Sequence, residues 1–437
     1  MPSSIDADHA TSTMLTAPEA VADWELTSPV PTLPAATADG RPYASVHLLV
    51  RRDSQPLGVV VVPLPSTPEQ VLAIVAAHLA GSLPDRPDLR PEGIPPRPGG
   101  AWLTGRRRAL EAGPSFTVVV CTRGREARLP EVLRQVTSLD HPRFDVVVVD
   151  NVPQDDTVER LVKDHQYPVP VHHVVERRPG LSWARNAGWA AASGDVIAFL
   201  DDDEAPDRHW LAEYARAFTE VPGAGVASGM ILPRSLDTPA ERVFEQLGGH
   251  SKGRAWRRVV FDQASHRAQH PLYPLPPFGA GGNMAFRRET LRVIGGFDVA
   301  LGAGTPGRGG EDTAAIADAM LAGFTMVWEP AAFVRHGHYG TFDGAHQQLR
   351  GYGIGLTAFY TRMVLADPRR LVRLAWLAPR AVVDLALPGS VRNAPAQGVA
   401  LPSGLSRQRL IGMAAGPAGY LRSRRIQARL GDGGPPR

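Results

Sequence analysis

The chain has 437 residues, which leaves room for about two to three domains. Its apolar fraction of 43% and charged fraction of 21% are typical of a globular protein with a substantial core. A single cysteine, Cys121, excludes an internal disulfide framework and a cysteine-based metal site. We expect Cys121 to be a buried, inert thiol, because it lies in the strand-like run FTVVVC.

Charge is distributed unevenly along the chain. Residues 1–40 hold six acids and no Lys or Arg, whereas residues 362–437 hold thirteen Arg against three Asp. The basic stretch has no interleaved aromatics and no known nucleic-acid module, so nucleic-acid binding is not expected. The N-terminus shows no secretory signal, and no run of 18 apolar residues predicts a membrane span, which makes the cytoplasm the default compartment.

The first hundred residues predict a small unit ahead of a larger domain. Residues 1–40 have weak periodicity and predict a disordered tail. Residues 41–92 contain two strand-like runs around a turn and then apolar residues at helical spacing, which predicts a β-β-α unit of unassigned role. Residues 93–114 are rich in Pro, Arg and Gly and predict a linker with a short helix at 102–111.

From residue 115, strand-like and helical segments alternate four times. The strand-like runs are FTVVVCT, FDVVVVDN, VHHVVER and DVIAFLDDD, and most are nearly continuous in Val and Ile. Such runs are typical of parallel strands covered on both faces, so the sequence predicts a doubly wound, mostly parallel α/β sheet.

Each predicted strand ends in polar or charged residues. In doubly wound sheets, ligands bind beyond the carboxyl ends of the strands. We therefore expect one rim of the sheet to carry the chemistry. Its members are Thr122-Arg123, Asp150-Asn151, Glu176-Arg177-Arg178 and Asp201-Asp202-Asp203.

The acidic triplet suggests a cation site. Because alternate residues of a strand point the same way, Asp201 and Asp203 can share one ion. Oxygen ligands with open positions suit Mg²⁺ or Mn²⁺, which phosphate oxygens of a substrate would complete. The alternative is that the acids cap the helix expected after Pro206-Asp207.

Two further residues near the rim have two interpretations each. Asp150 can accept hydrogen bonds from a base or ribose, or it can start an Asx turn. Arg185, which with Asn186 lies in GLSWARNAG, can steady a diphosphate or a neighbouring acid, or form a structural ion pair.

The later motifs are also ambiguous on their own. Asp312, which follows Glu311 at the start of a predicted helix, can act as general base for a hydroxyl or cap the helix. His336 and His338 follow a short strand, where a histidine can complete a divalent cation site or be structural.

Taken in order, the motifs between about 115 and 360 resemble the family 2 glycosyltransferases with the GT-A fold. They are FTVVVCTRGR, VVVVDN, GLSWARNAG, GDVIAFLDDDEAP followed by a Trp, GAGGNMAFRR, GGFD, GGED and VRHGHY. The resemblance implies an α/β fold of GT-A type, with the N-terminal unit and a C-terminal helical tail outside it. It also implies single-displacement transfer of a sugar, with inversion, from a nucleoside-diphosphate sugar.

The resemblance assigns roles to residues of this chain. It makes Asp312 the general base and places Mg²⁺ or Mn²⁺ on Asp201, Asp203 and His336. It implies that Asp150 contacts the base of the donor and that Thr122 and Arg123 form the nucleotide-contacting end of the first strand. We accordingly predict donor binding by Thr122, Arg123, Asp150, Arg185, Asp201 and Asp202.

The sequence also departs from parts of the family. It lacks the QxxRW signature and the membrane helices of processive synthases, so addition of one sugar or a few is expected. The sequence leaves three candidates for the molecule that carries the acceptor hydroxyl: a lipid-linked acceptor, a cell-envelope glycan or a secondary metabolite. The rival interpretations are a non-catalytic nucleotide-sugar-binding scaffold and a sugar nucleotidyltransferase, although TRGREARLPE is not the Gly-rich loop that the latter usually needs.

Residues 361–437 form a basic, amphipathic helical tail by their pattern. Apolar faces mixed with Arg fit peripheral attachment to an anionic membrane at the inner face of the plasma membrane. The alternative is that these helices pack back on the catalytic domain with Arg outward.

Overall fold

The computed structural model describes seven stretches of the chain. They are residues 17–82, 100–125, 127–246, 249–250, 255–262, 281–386 and 405–431. The predicted disorder of residues 1–16, the linker residues 93–99, and the parts of the tail at 387–404 and 432–437 lie outside the described residues.

A nine-stranded mixed sheet forms the centre of the larger domain. Its order is β10-β12-β9-β11-β7-β4-β5-β6, with β8 paired to β12. The strands are β4 (Phe116–Thr122), β5 (Phe144–Asn151), β6 (Val171–Glu176), β7 (Val196–Asp201), β8 (Glu204–Pro206), β9 (Ala224–Pro233), β10 (Val259–Phe261), β11 (Met284–Arg287) and β12 (Thr325–His336).

The Val-rich runs form the parallel half of this sheet, as the sequence predicts. Strands β4, β5, β6 and β7 pair in parallel, and their side chains contribute to the two main hydrophobic clusters on the two faces. Burial on both faces explains the absence of polar alternation in these runs. Strand β11 lies antiparallel between β7 and β9, which makes the sheet mixed.

Helices cover both faces of the sheet. In the larger domain and its C-terminal extension they are α2 (Ala101–Ala112), α3 (Leu129–Val136), α4 (Thr157–Asp164), α5 (Leu181–Ala191), α6 (Trp210–Glu220), α7 (Pro239–Gln246), α8 (Arg288–Ile294), α9 (Glu311–Leu321), α10 (Phe342–Ala366), α11 (Arg369–Ala386) and α12 (Leu405–Arg429).

The N-terminal unit has one strand more than predicted. Strands β1 (Glu19–Glu25), β2 (Ser45–Arg52) and β3 (Gln55–Pro63) form a separate sheet followed by helix α1 (Pro68–Ser82). The prediction of disorder over residues 1–40 is therefore wrong for β1, which pairs in parallel with β2 and buries Ala20 and Trp24. Its acidic residues concealed the strand pattern.

The N-terminal unit is docked on the edge of the central sheet by polar contacts. Arg51 lies 2.9 Å from Asp207, and Asp23 forms an ion pair with Arg335 on β12. The Tyr43 hydroxyl donates a hydrogen bond to Asp237 at 2.9 Å. The unit thus contacts β12 and the segments that follow β8 and β9.

The C-terminal part of the tail packs on the larger domain, as one of the two interpretations expects. Helix α12 lies against α10, and the hydroxyl of its buried Tyr420 donates to Asp298 at 2.8 Å. Gln427 accepts a hydrogen bond from the indole nitrogen of Trp183 on α5. These contacts tie α12 to the helices that border the sheet.

Close backbone approach between α10 and α12 depends on glycine. A Cβ on Gly412 would stand 2.1 Å from the carbonyl oxygen of Arg350, and one on Gly353 would stand 2.2 Å from that of Arg409. Neither backbone oxygen can move aside alone, so the two helices would have to separate.

We expect Gly412→Ala to lower the free energy of unfolding by about 1–3 kcal/mol, the usual cost of overpacking. Gly351→Ala is the matched control, because a Cβ there meets nothing within 4 Å on the same α10. Helix propensity predicts a gain of about 0.5–1 kcal/mol for the control. Urea unfolding measures both, and equal stabilities of the two variants would contradict the close crossing.

Helix α11 differs from α12 in its exposure. Arg369, Val372, Arg373 and Trp376 follow one another at helical spacing along one face, and Val372 and Trp376 are 76% and 81% exposed. In the described part of the chain, we find no helix with the length and apolar character needed to cross a membrane.

Candidate functional site

The register of the parallel strands brings the predicted rim together. Thr122 at the end of β4 lies opposite Asp150 on β5, and Cys121 lies opposite Asp201 on β7. Thr122, Asp150 and Asp201 therefore occupy adjacent strand ends. Burial raises the pKa of the partly buried Cys121 to about 12, so its thiol stays protonated and inert, as expected.

Asp202, the middle acid of the triplet, forms hydrogen bonds that link the triplet to the end of β4. Asp202 is buried and accepts a hydrogen bond from the Thr122 hydroxyl at 2.8 Å. Arg125 donates to Asp202 at 3.2 Å and to Asp203 at 2.5 Å. Burial raises the pKa of Asp202 to about 6 despite these partners. These contacts hold the ends of the neighbouring strands β4 and β7 together.

Asp201 belongs to an ion-pair chain centred on the buried Arg185. The guanidinium of Arg185 donates to Asp201 at 3.0 Å and to Glu311 at 2.7 Å. Arg185 is 1% exposed, so both carboxylates face a charge that is almost withdrawn from water. These contacts fit two of the interpretations of Arg185 alike, the steadying of an acid on the neighbouring strand and a structural ion pair.

Glu311 and Asp312 begin α9 at this point. Burial, with repulsion from Asp312, raises the pKa of Glu311 to about 7, against the attraction of Arg185. Asp312 is partly buried, and its Oδ1 accepts from the backbone N–H of Thr313 at 2.6 Å. Asp312 thus lies one residue beyond the ion-pair chain and satisfies one free N–H of the first helical turn.

Glu204 lies fully buried behind the triplet. It is 1% exposed, and burial together with repulsion from Asp201 and Asp203 raises its pKa well above the ordinary value. A Cβ on Gly282 would stand 2.4 Å from the Glu204 carboxylate, and one on Gly281 would stand 2.8 Å from the Arg185 guanidinium. Gly281 and Gly282 therefore allow the backbone before β11 to lie directly against these charged side chains.

Asp203 faces His336 at the end of β12. The Oδ1 of Asp203 lies 3.8 Å from His336 Nε2, and both side chains are mostly buried. Burial lowers the pKa of His336, which keeps the ring neutral and able to donate a lone pair. The other ring nitrogen, Nδ1, is buried without a hydrogen bond among the described residues.

The capping interpretation of the triplet does not match its contacts. Strand β8 intervenes between the triplet and helix α6, which begins at Trp210. The carboxylates of Asp201, Asp202 and Asp203 instead contact Arg185, Thr122 and Arg125.

The remaining predicted donor residues lie farther along the same rim. Asp150 is buried, and its Oδ2 lies 3.6 Å from His173 Nε2 on β6. Arg123 is exposed, and its guanidinium lies close to Gly304 in the glycine-rich loop before α9. Asn151 donates to the carbonyl oxygens of Glu176 and Arg178, which fixes the loop leading into α5.

Sequence reasoning missed four residues that shape this rim. Arg125 and Glu204 are adjacent to predicted motifs, and Glu311 was seen as the neighbour of Asp312 without its buried partner. His250 lies with His336 and His338 in one cluster of ring nitrogens. The acidic and basic runs around the triplet were the available signal for Arg125 and Glu204, whereas none pointed to His250.

Comparison with known proteins matches residues 117–295 to the family model described as Glycosyl transferase family 2. The matched residues form a family 2 glycosyltransferase domain. The domain covers β4 to α8, including the acidic triplet and Arg185.

Curated proteins named as glycosyltransferases are similar to part of the chain. The Pre-mycofactocin glycosyltransferase of Mycobacterium tuberculosis is 30% identical over 257 residues, covering 57% of this chain and 47% of the relative. The Glucosyl-dolichyl phosphate glucuronosyltransferase of Haloferax volcanii is 22% identical over 193 residues, covering 43% and 56%. The chain thus spans about half the length of these curated relatives.

Among solved structures, a mannosyltransferase from Pyrobaculum calidifontis in complex with GDP-Man and Mn²⁺ is similar at a TM-score of 0.45. It is 21% identical, and the match covers 76% of this chain and 88% of that one.

Proposed function

We propose that this protein transfers a sugar from a nucleoside-diphosphate sugar to an acceptor hydroxyl in one displacement, with inversion. The observation that supports this best is the convergence of Asp201, Asp203 and His336 at one rim of a family 2 domain, beside the start of α9 with Asp312. A diphosphate donor needs cationic support, and an acceptor hydroxyl needs a base. The rim offers groups suited to both tasks.

The residues at the rim fit a divalent cation. Two carboxylates and a neutral imidazole, whose Nε2 lies 3.8 Å from Asp203, provide oxygen and nitrogen ligands. We assign Asp201, Asp203 and His336 as the residues that would hold Mg²⁺ or Mn²⁺. When bound, such a cation stabilises the charge that develops on a departing diphosphate.

The protein's own charges position these ligands. Arg185 and Arg125 neutralise part of the charge on Asp201 and Asp203, so the acids can lie close together without a cation present. Because Arg185 is held by Glu311, the orientation of Asp201 is coupled to the start of α9. Thr122, Arg123 and Asp150 would then bind the nucleotide along the neighbouring strand ends.

Asp312 is assigned as the general base. It lies next to Glu311 at the rim, and it is partly exposed, so an acceptor hydroxyl can approach it. Glu311 is a poorer choice because it is buried and paired with Arg185.

Asp312→Asn is expected to lower kcat by about 10²–10⁴-fold, the usual contribution of a positioned base. KM for the donor should change little, because Asn keeps the hydrogen bond from the Thr313 backbone. Initial-rate measurement of nucleoside-diphosphate release tests this. Glu289→Gln, an exposed acid in the first turn of α8, is the matched control. Turnover of Asp312→Asn at the rate of the wild type would remove Asp312 as the base.

We further propose that α11 attaches the protein to an anionic membrane, near a lipid-linked acceptor. The exposed face of α11 alternates Arg369 and Arg373 with Val372 and Trp376, a pattern suited to an interfacial helix. The relative from Haloferax volcanii is named for a dolichyl phosphate substrate, which makes a lipid-linked acceptor a candidate here.

The double substitution Val372→Ser/Trp376→Ser is expected to weaken binding to phosphatidylglycerol-containing vesicles at least about tenfold. Loss of about 1.4 kcal/mol from two apolar side chains is sufficient for that change. Co-sedimentation measures it, with Leu421→Ser on the packed helix α12 as the control. If the double variant pelleted with vesicles like the wild type, α11 would not be the membrane contact.

A further inference from the structure

Three histidines come together beside the acidic triplet. His250, His336 and His338 place one ring nitrogen each within 4.8 Å of one another. The rings of His250 and His336 have centroids 5.0 Å apart and are nearly perpendicular, so they meet edge to face. Neither His250 nor His338 has a role in the proposed transfer.

The environment of His338 fixes which nitrogen carries its lone pair. Its Nε2 lies 3.0 Å from Glu245 Oε2, which is the geometry of an N–H donated to a carboxylate. Nδ1 then carries the lone pair, and this atom is buried with no hydrogen-bond partner in the described part of the chain. A buried, unsatisfied acceptor is costly unless something else binds it.

His336 repeats this arrangement. Its Nε2 is turned towards Asp203, 3.8 Å away, whereas Nδ1 is buried and without a described hydrogen bond. The two nitrogens of an imidazole point in different directions, so the ring can face Asp203 with Nε2 and the other histidines with Nδ1. At His338 the carboxylate of Glu245 takes the place at Nε2 that is usual for the outer partner of a metal-bound histidine.

We propose that, while no donor is bound, His250, His336 and His338 form a nitrogen-rich site for a transition-metal cation such as Zn²⁺, next to the carboxylates of the donor site. His336 would bind this cation through Nδ1, whereas its Nε2 faces the donor site. Water would complete the coordination. Three imidazoles favour Zn²⁺ or Co²⁺ strongly over Mg²⁺, which prefers oxygen. Zn–N bonds of about 2.0–2.1 Å in tetrahedral geometry place ligand nitrogens roughly 3.3 Å apart, so the rings need to close by about 1.5 Å at most.

Cobalt titration of the chelator-stripped full chain, with no donor present, tests this site. We expect about one equivalent of Co²⁺ to bind with the intense visible absorption of a tetrahedral nitrogen site, and Zn²⁺ to displace it. His250→Ala and His338→Ala should each weaken Co²⁺ binding at least about tenfold. Glu245→Gln, which changes the carboxylate at His338 Nε2, should weaken it about 10–100-fold.

Two controls separate this site from the donor cation and from general damage. Asp201→Asn should keep the cobalt band, because its carboxylate belongs to the donor site. His172→Ala removes an exposed histidine on β6 and should also keep the band. Circular dichroism of each metal-free variant shows whether it is folded. If a histidine variant does not fold, Glu245→Gln tests the site in its place.

Loss of the band in the cluster variants and in Glu245→Gln, with both controls unchanged, supports the three-histidine site. No tetrahedral band in the wild type, or a band unaffected by the folded cluster variants, overturns it and leaves the histidines as packing around Phe244.

Discussion

Asp201→Asn and Asp203→Asn are each expected to lower kcat/KM for sugar transfer at least about 10³-fold. A bound cation contributes several kcal/mol of charge stabilisation to the transition state, and about 4 kcal/mol corresponds to that factor. Asparagine keeps the size of the side chain but removes the charge that attracts the cation. The variants should also lose cation-dependent binding of the donor, which calorimetry with Mn²⁺ measures separately from turnover.

Asp195→Asn is the matched control for these variants. Asp195 directly precedes β7, at the opposite end of the strand from the triplet, and accepts hydrogen bonds from Ser115. Loss of the Asp195 carboxylate can lower the free energy of unfolding slightly, but it changes no group at the rim. If Asp201→Asn and Asp203→Asn retained the kcat/KM of Asp195→Asn, the triplet would not be the cation site.

Arg185→Met is expected to lower the free energy of unfolding by about 3–5 kcal/mol. The substitution keeps much of the volume but leaves the buried Glu311 without its counter-charge, and removing one partner of a buried pair is strongly destabilising. Adding Glu311→Gln to Arg185→Met should restore part of the lost free energy of unfolding, because glutamine carries no charge that needs a partner. Urea unfolding of the two single variants and the double variant measures this coupling.

The same ion-pair chain predicts a pH dependence with a definite sign. The pKa of Glu311 is about 7 in the folded protein against an ordinary value of 4.5, so the folded state binds the proton more tightly. The contribution of Glu311 to stability is therefore fully present below about pH 4.5 and is lost as the pH rises through 7. Glu311→Gln should remove the contribution of Glu311 to the difference in the free energy of unfolding between pH 5 and pH 8.

Glu131→Gln provides the comparison for Glu311→Gln. Glu131 forms an exposed ion pair with Arg134 on α3, and such pairs contribute about 0–1 kcal/mol. If Glu311→Gln and Glu131→Gln left the pH dependence equally unchanged, Glu311 would not be titrating near neutrality.

The parallel half of the fold could be predicted from sequence because its signal is local. The Val runs of β4 and β5 are buried on both faces, and each ends in a polar residue that marks the rim. Strand β11 was not predicted because MAFR spans four residues beside a glycine-rich stretch. Strand β1 was missed because its acids, which include Glu19 and Asp23, suggested a disordered segment.

The site could be predicted as a set of strand ends but not as a set of contacts. Asp201, Asp203 and Asp150 follow from the positions where strands stop. The pairing of Arg185 with Glu311 joins residues 126 apart in sequence, and no local periodicity encodes it. The meeting of His250 with His336 is likewise a product of packing between α7 and the end of β12.

Calorimetric titration of the wild-type chain with UDP- and GDP-sugars, in Mn²⁺ and again in EDTA, tests the proposed donor site most directly. One donor should bind in Mn²⁺ and lose its binding in EDTA, and Asp201→Asn should abolish the Mn²⁺-dependent part. Equal binding of a donor with and without the cation, or no binding of any donor in Mn²⁺, would contradict a cation-dependent glycosyltransferase built on Asp201, Asp203 and His336.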